Sequence, residues 1–239
     1  MITAPEEFCL KVRTALIQSG IFSENGTERS WRISPKPFEL SPEDSAFFLD
    51  LGDHLLNFYK TFNSFYFESL KGRFPSWFAQ YLNNGKPSDL LDFSQMKRFK
   101  SHLPGIIRPD VIVTEDRFIV TELDSVPGGF GSLTQLMELY QGSFNSLLGM
   151  ENGGILSLFS AMVQETAGKQ DPVLAITVSD EAKDYLDEMK FLGNRLNEEG
   201  LKTHVIHPRD IIFDEEGLFV QNSQEKEKID VIYRFFELF

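Results

Sequence analysis

The chain has 239 residues, a formal net charge of −13, 41% apolar and 25% charged side chains, and a single cysteine. That length buries a sizeable core in one large domain or two small ones. The acidic balance argues against a general nucleic-acid binder and against docking on anionic membranes, since both need Lys/Arg-rich patches.

A lone Cys9 supports neither a disulfide framework nor a Cys-based zinc site, and a reducing, cytoplasmic setting is the expectation. The first twenty residues are acidic early and amphipathic, without the basic start and apolar core of a signal peptide. No run approaches the roughly 18 apolar residues of a membrane span. Twenty-three phenylalanines point to a core built on aromatic rings.

Residues 5 to 19 place Phe8, Val12, Ala15 and Leu16 on one helical stripe. After a polar break and the extended "SPKPF", Ser41 reads as an N-cap, with Pro42 at the first helical position and acids in the first turn. Phe47, Phe48, Leu51, Leu55, Phe58, Tyr59, Phe62, Phe65 and Tyr66 then recur three or four residues apart. This spacing predicts a long amphipathic helix with its aromatic stripe in the core. "SWFAQYLNNG" reads as a shorter helix ending at Gly85. The next segment reads as loop with a further helical turn. It carries Lys97, Arg98 and Lys100, either a solvated surface or a set of phosphate contacts.

"IIRPDVIVT" and "RFIVTELDS" alternate as two strands joined by a tight Glu115-Asp116 turn. Two helices follow, "GSLTQLMELYQGSFNSLL" and "GGILSLFSAMVQETAG". "PVLAITVS" reads as a buried strand, and "DEAKDYLDEMKFLGNRLNEEG" as a helix stopped by Gly200. "KTHVIHP" is a second buried strand, "GLFVQN" a short one and "KIDVIYRFF" the last. Strand, helix, strand is a βαβ unit and implies a parallel layer. The expected fold is therefore mixed α/β in three segments: mainly helical over 1–100, hairpin plus helices over 101–170, and an α/β lobe over 171–239. The ending "IDVIYRFFELF" lies inside an apolar run, which reads as the front part of a longer protein.

The hairpin concentrates charge. Side chains two apart on a strand share a face, so Arg108 pairs with Asp110 and Glu122 with Asp124. If the two pairs meet on one side, three carboxylates converge beside one guanidinium. Oxygen-only donors of that kind suit Mg²⁺ or Mn²⁺, and the arginine fork suits a phosphoryl or carboxylate group. The same spacing equally fits the wet face of a hairpin whose arginine neutralises its acids. In the "SVPGGFG" that follows, Gly128 and Gly129 allow a ligand close backbone approach and N–H groups that cradle an anion. The run is also an ordinary turn, and it does not fit a dinucleotide-binding G-x-G-x-x-G.

"RPD…TELDSVPGGFG" followed by "KIDVIYRFF" resembles the glutathionylspermidine synthase-like, circularly permuted ATP-grasp ligases and, more distantly, eukaryotic glutathione synthetase. The resemblance covers roughly residues 30 to 239, and its specific motifs are the hairpin and the last strand. It implies that Asp110, Glu122 and Asp124 hold Mg²⁺ against the phosphates of ATP and that Arg108 stabilises the transferred phosphoryl group. Asp124 stands where the family more often has asparagine. Arg234, on a strand like the family's tyrosine-arginine strand, is implied as a substrate contact, together with the Gly128-Gly129 bend. The segment from 179 to 208 is similar to the Rossmann-like pre-ATP-grasp lobe. Pro127 and Gly129 occupy the place of the family's serine contacts, so its substrate does not carry over.

On this resemblance the chain is the N-terminal part of an ATP-dependent carboxylate–amine ligase working through an acylphosphate. Its substrates would be a small carboxylate and an amine. Its nucleotide clamp would come from a C-terminal ATP-grasp part of the same protein, without which it turns nothing over. The competing readings are a non-catalytic module binding a small anion, and an α/β domain whose hairpin acids are only surface charge. No serine or cysteine accompanies a histidine in a nucleophile motif, and His204 and His207 read as structural.

Overall fold

A computed structural model describes residues 5–22, 31–115, 117–144, 146–221 and 226–236. Four helices come first: α1 (Pro5–Gln18), α2 (Pro42–Leu70), α3 (Ser76–Asn83) and α4 (Ser88–Ser94). Strands β1 (Arg108–Val113) and β2 (Phe118–Asp124) precede helices α5 (Phe130–Gln141) and α6 (Gly154–Ala167). Then come β3 (Leu174–Val178), α7 (Leu186–Glu198), β4 (Thr203–Ile206), β5 (Ile211–Asp214), β6 (Gly217–Gln221), β7 (Lys226–Lys228) and β8 (Val231–Phe235). The fold is mixed α/β, with three small sheets among the described residues.

The chain divides into two compact units rather than the three expected segments. Leu40–Ser125 forms one; the described residues up to Glu39 with Val126–Phe236 form the other. The expected boundary near residue 100 vanishes because the hairpin groups with α2 to α4. Phe118 of β2 lies 5.8 and 4.9 Å, ring to ring, from Phe47 and Phe48 of α2.

In the hairpin unit, α2 starts on a full capping box. The Ser41 hydroxyl accepts from the Asp44 amide, and the Ser41 amide donates to the Asp44 carboxylate, both at 3.1 Å. At its other end Ser69 Oγ donates to the Pro75 carbonyl at 2.7 Å and accepts from the Ala79 amide, which seats α3 on α2. The aromatic stripe is less buried than its periodicity suggests. Leu51, Leu55 and Phe67 are inside, while Phe58, Phe62 and Phe65 keep 45%, 40% and 38% of their surface. The unit is small for so many rings, and they stack partly on one another: Phe58 on Phe62 and Phe65 on Phe74, each at 4.5 Å.

The other unit is organised on β3, whose five residues are all buried. It is the central strand, parallel to β4 on one side and to β8 on the other. Helix α7 makes the crossover from β3 to β4, and Gly193 permits its close approach to the sheet. A Cβ there would stand 2.6 Å from Val205 Cγ2. Helix α1 buries Phe8, Val12 and Leu16 against Leu136, Leu139 and Tyr140 of α5. An antiparallel sheet β5–β6–β7 fills the connection from β4 to β8.

"KIDVIYRFF" was expected as one strand, but it changes sheets at Ile229-Asp230. Asp230 Oδ2 accepts from the Val173 amide and meets Lys169 Nζ, both at 2.7 Å, which pins the starts of β3 and β8 together. Burial raises the pKa of Asp230, but the Lys169 and Val173 contacts outweigh it and hold the carboxyl below its ordinary value. A depressed carboxylate contributes stability above its unfolded pKa and loses it as pH falls through the folded one. Asp230→Asn is therefore expected to cost about 1–2 kcal/mol near neutrality. The gap from the parent should close as pH falls below about 4, as read by urea unfolding across pH.

Candidate functional site

Strands β1 and β2 pair with Arg108 opposite Asp124 and Asp110 opposite Glu122. Opposed residues of an antiparallel ladder share a face, so all four charged side chains project to one side. The register slips between Asp110 and Val111, leaving Thr121 as the extra residue of a β-bulge. The bulge sorts the strand. Phe118, Val120, Glu122 and Asp124 alternate in sequence and would all point the same way in a regular ladder. The extra residue instead places Phe118 and Val120 on the face of Val111, half-buried. It leaves Glu122 and Asp124 on the face of Asp110 and Arg108, Glu122 exposed and Asp124 half-buried.

On that outer face Arg108 Nε lies 3.6 Å from Asp110 Oδ1, and Nη2 lies 3.3 Å from Asp124 Oδ2. These side chains keep 44%, 53% and 34% of their surface, so water screens the pairs and each stabilises little. The next rung is different in sign. Asp110 and Glu122 are like charges directly opposed, an arrangement that costs a hairpin roughly 0.2–1 kcal/mol. Among the described residues no three His, Cys, Asp or Glu side chains gather closely enough to hold a metal ion. The expected trio of acids is thus one opposed pair, Asp110 with Glu122, and an Asp124 engaged by Arg108. The donors are hard oxygens throughout, which suits Mg²⁺, an ion commonly held by one or two carboxylates together with substrate phosphates.

The glycine-rich bend belongs to the other unit, and its chemistry is already committed. Gly129, at φ +91°, caps α5. Its amide donates to Glu188 Oε1 at 2.7 Å, and Ser132 Oγ donates to Glu188 Oε2 at 3.1 Å. Glu188 is 2% exposed. The anion cradled by Gly129 at this helix start is a carboxylate of the chain itself, well placed for the helix dipole. Two neighbouring glycines have packing reasons. A Cβ on Gly128 would stand 2.1 Å from the Tyr185 ring, and one on Gly131 would stand 2.1 Å from the Glu188 carbonyl oxygen.

Strand β8 sends Tyr233 and Phe235 to one face and Arg234 to the other. Tyr233 Oη donates to the Pro127 carbonyl at 3.0 Å, and the Phe235 ring lies 5.4 Å from that of Tyr185. The bend with Gly128 and Gly129 therefore packs on the face opposite Arg234. The Arg234 guanidinium bonds the Phe236 carbonyl and lies 5.5 Å from the Phe236 ring. It stands at the carboxyl end of β8, where that strand and β4 flank β3. In open parallel sheets ligands collect at such a reversal of strand order.

No family model, curated protein or solved structure matches the chain.

His204 and His207 serve the scaffold. His204 Nε2 lies 2.9 Å from Glu227 Oε2, and His207 Nδ1 accepts from the Arg209 amide at 3.1 Å. Among the described residues no helix is long and apolar enough to cross a membrane. The residue that sequence reasoning missed is Glu188. Its signal was present, since an acid four residues before Leu192 sits on the apolar stripe of α7.

Proposed function

We propose that the chain carries the charged hairpin and the parallel lobe of an ATP- and Mg²⁺-dependent carboxylate–amine ligase of the glutathionylspermidine synthase-like, ATP-grasp type. The observation that carries this reading is the opposed, exposed pair Asp110–Glu122 beside the rung Arg108–Asp124, all four on one face of the hairpin. A hairpin that tolerates two facing carboxylates gains from a divalent ion between them. Asp110 and Glu122 are the ligands of first resort; Asp124 joins when Arg108 turns from it. Bound there, Mg²⁺ would offset the charge of the ATP phosphates during transfer to the carboxylate. Arg108, with its planar fork of donors, exchanges its two aspartates for the phosphoryl oxygens and stabilises the charge that develops on them.

In this reading the segment from 171 to 236 is the Rossmann-like pre-ATP-grasp lobe. Arg234, at the carboxyl end of β8, is its substrate contact. With the Gly129 amide on Glu188, the bend positions α5 rather than binding substrate. The nucleotide clamp is supplied by a C-terminal ATP-grasp part of the same protein, the substrates are a small acid and an amine, and the setting is cytoplasmic.

A second reading has its own support. Arg108 contacts both aspartates and no three-acid cluster forms among the described residues, as on a self-neutralised surface. Thermal unfolding with Mg²⁺ and a non-hydrolysable ATP analogue separates the two, because only a ligand of the folded state raises stability. The ligase reading expects a rise with the parent chain and none with Asp110→Asn or Glu122→Gln. Without ligand, each variant should lie within about 0.5 kcal/mol of the parent, since it removes one side of a like-charge pair. An equal response from parent and variants would remove the metal assignment.

A further inference from the structure

An asparagine followed by glycine is among the least durable pairs of residues in a chain. Glycine has no side chain to keep its amide nitrogen away from the asparagine carboxamide. The pair occurs at Asn25-Gly26, Asn84-Gly85 and Asn152-Gly153. The first lies outside the described residues. The other two are exposed, yet the fold holds them differently.

Asn84 and Gly85 follow α3 as the central residues of a turn. Asn84 has φ −58° and ψ 131°, Gly85 has φ +78°, and the Lys86 amide donates to the Asn83 carbonyl at 3.1 Å. These are type II angles, and the amide of the second central residue takes no part in the closing bond. Among the described residues the Gly85 amide has no hydrogen-bond partner. A Cβ on Gly85 would meet nothing within 4 Å, so the peptide unit between the two residues has room to rotate. Rotation about the Cα–C bond of Asn84 carries the Gly85 nitrogen to the carboxamide.

Asn152-Gly153 is held more firmly. The Gly153 amide donates to the Met150 carbonyl at 3.1 Å, and the Gly154 amide to the Gly149 carbonyl at 3.2 Å. A Cβ on Gly153 would stand 2.7 Å from Ser157 Cβ. This turn is crowded where the other is open.

We infer that Asn84 is a site of spontaneous covalent modification, converting through a cyclic imide to aspartate and isoaspartate ahead of Asn152. The Gly85 nitrogen bonds to the side-chain carbonyl carbon of Asn84, and Nδ2 leaves as ammonia with the amide proton. Water then opens the five-membered imide at either carbonyl. Breaking the bond to the side-chain carbon gives aspartate. Breaking the main-chain bond gives isoaspartate, in which the backbone runs through the side chain. Water is the only other reactant. Either product adds a negative charge to a chain already at −13. Isoaspartate also lengthens the turn by one methylene beside Asn83, whose side chain accepts from Tyr66 Oη at 2.7 Å and ties α3 to α2. The site is independent of the ligase reading.

The test is ageing of the whole chain in mildly alkaline buffer, followed by peptide mapping with mass spectrometry that separates aspartyl from isoaspartyl products. Asn84 is expected to convert faster than Asn152 by about fivefold or more, the factor for opening one hydrogen bond. In the urea-unfolded chain, where neither turn exists, the two should convert at like rates. Raising the pH should speed both, since the attacking nitrogen must lose its proton. Equal rates in the folded chain overturn the inference, as does conversion of Asn152 ahead of Asn84. An unchanged Asn84 after a time that converts the unfolded chain also overturns it.

Discussion

Gly131→Ala is expected to destabilise the unit built on β3 by about 3 kcal/mol or more, measured by urea unfolding. The sign runs against the usual rule. In a helix interior alanine is normally better than glycine by roughly 0.5–1 kcal/mol, because glycine loses more backbone freedom. Gly131 lies in the first turn of α5, and its added methyl would stand 2.1 Å from the Glu188 carbonyl oxygen and 2.8 Å from the carbonyl carbon. Both atoms belong to the backbone of α7 and cannot rotate aside. Separating the helices would uncover Ser132, Met189 and Leu192, all buried. Overpacking of this kind costs about 1–3 kcal/mol when side chains can adjust, so a rigid contact belongs at or above the top of that range. A variant as stable as the parent would mean that α5 and α7 do not approach so closely.

Glu188→Ala should cost about 3 kcal/mol, and Glu188→Gln about 1 kcal/mol. The carboxylate satisfies the Gly129 amide and the Ser132 hydroxyl at once, and Ser132 is 2% exposed. Alanine leaves both groups without their acceptor and opens a void between two helices. Glutamine keeps an acceptor for the amide and loses mainly the charge that answers the helix dipole. Denaturant unfolding of the two variants beside the parent checks both figures. If alanine and glutamine cost the same, the carboxylate's hydrogen bonds are not what holds the start of α5.

The helices and the βαβ order were legible because their signals are local. The Ser41-Pro42 start, the three-four spacing of α2 and the unbroken apolar run of β3 need no partner to be read. What escaped depended on partners far along the chain. Strands β5 and β7 have little pattern of their own and exist through pairing with β6. The break at Asp230 depends on a contact to Val173, 57 residues away. At the candidate site, the shared face within each pair, Arg108 with Asp110 and Glu122 with Asp124, followed from alternation along each strand. The meeting of the two pairs on one side waited on the cross-strand register. The directly opposed Asp110 and Glu122 did not follow either, since cross-strand register comes from the bulge. The glycines of the bend were read as room for a ligand, whereas Tyr185 and Glu188 fill it. A run of glycines says that something comes near and is silent on what.

The extra residue in β2 makes the hairpin's charges guardians of its alignment. Sliding the strand by one position would bring Phe118 into water and press Glu122 and Asp124 toward the rings of α2, so hydration of those acids holds the frame. Replacing both by valine would remove that preference and let the ribbon settle in either phase. Amide substitutions spare it, which is why asparagine and glutamine, rather than alanine or valine, are the probes that change charge without moving the scaffold.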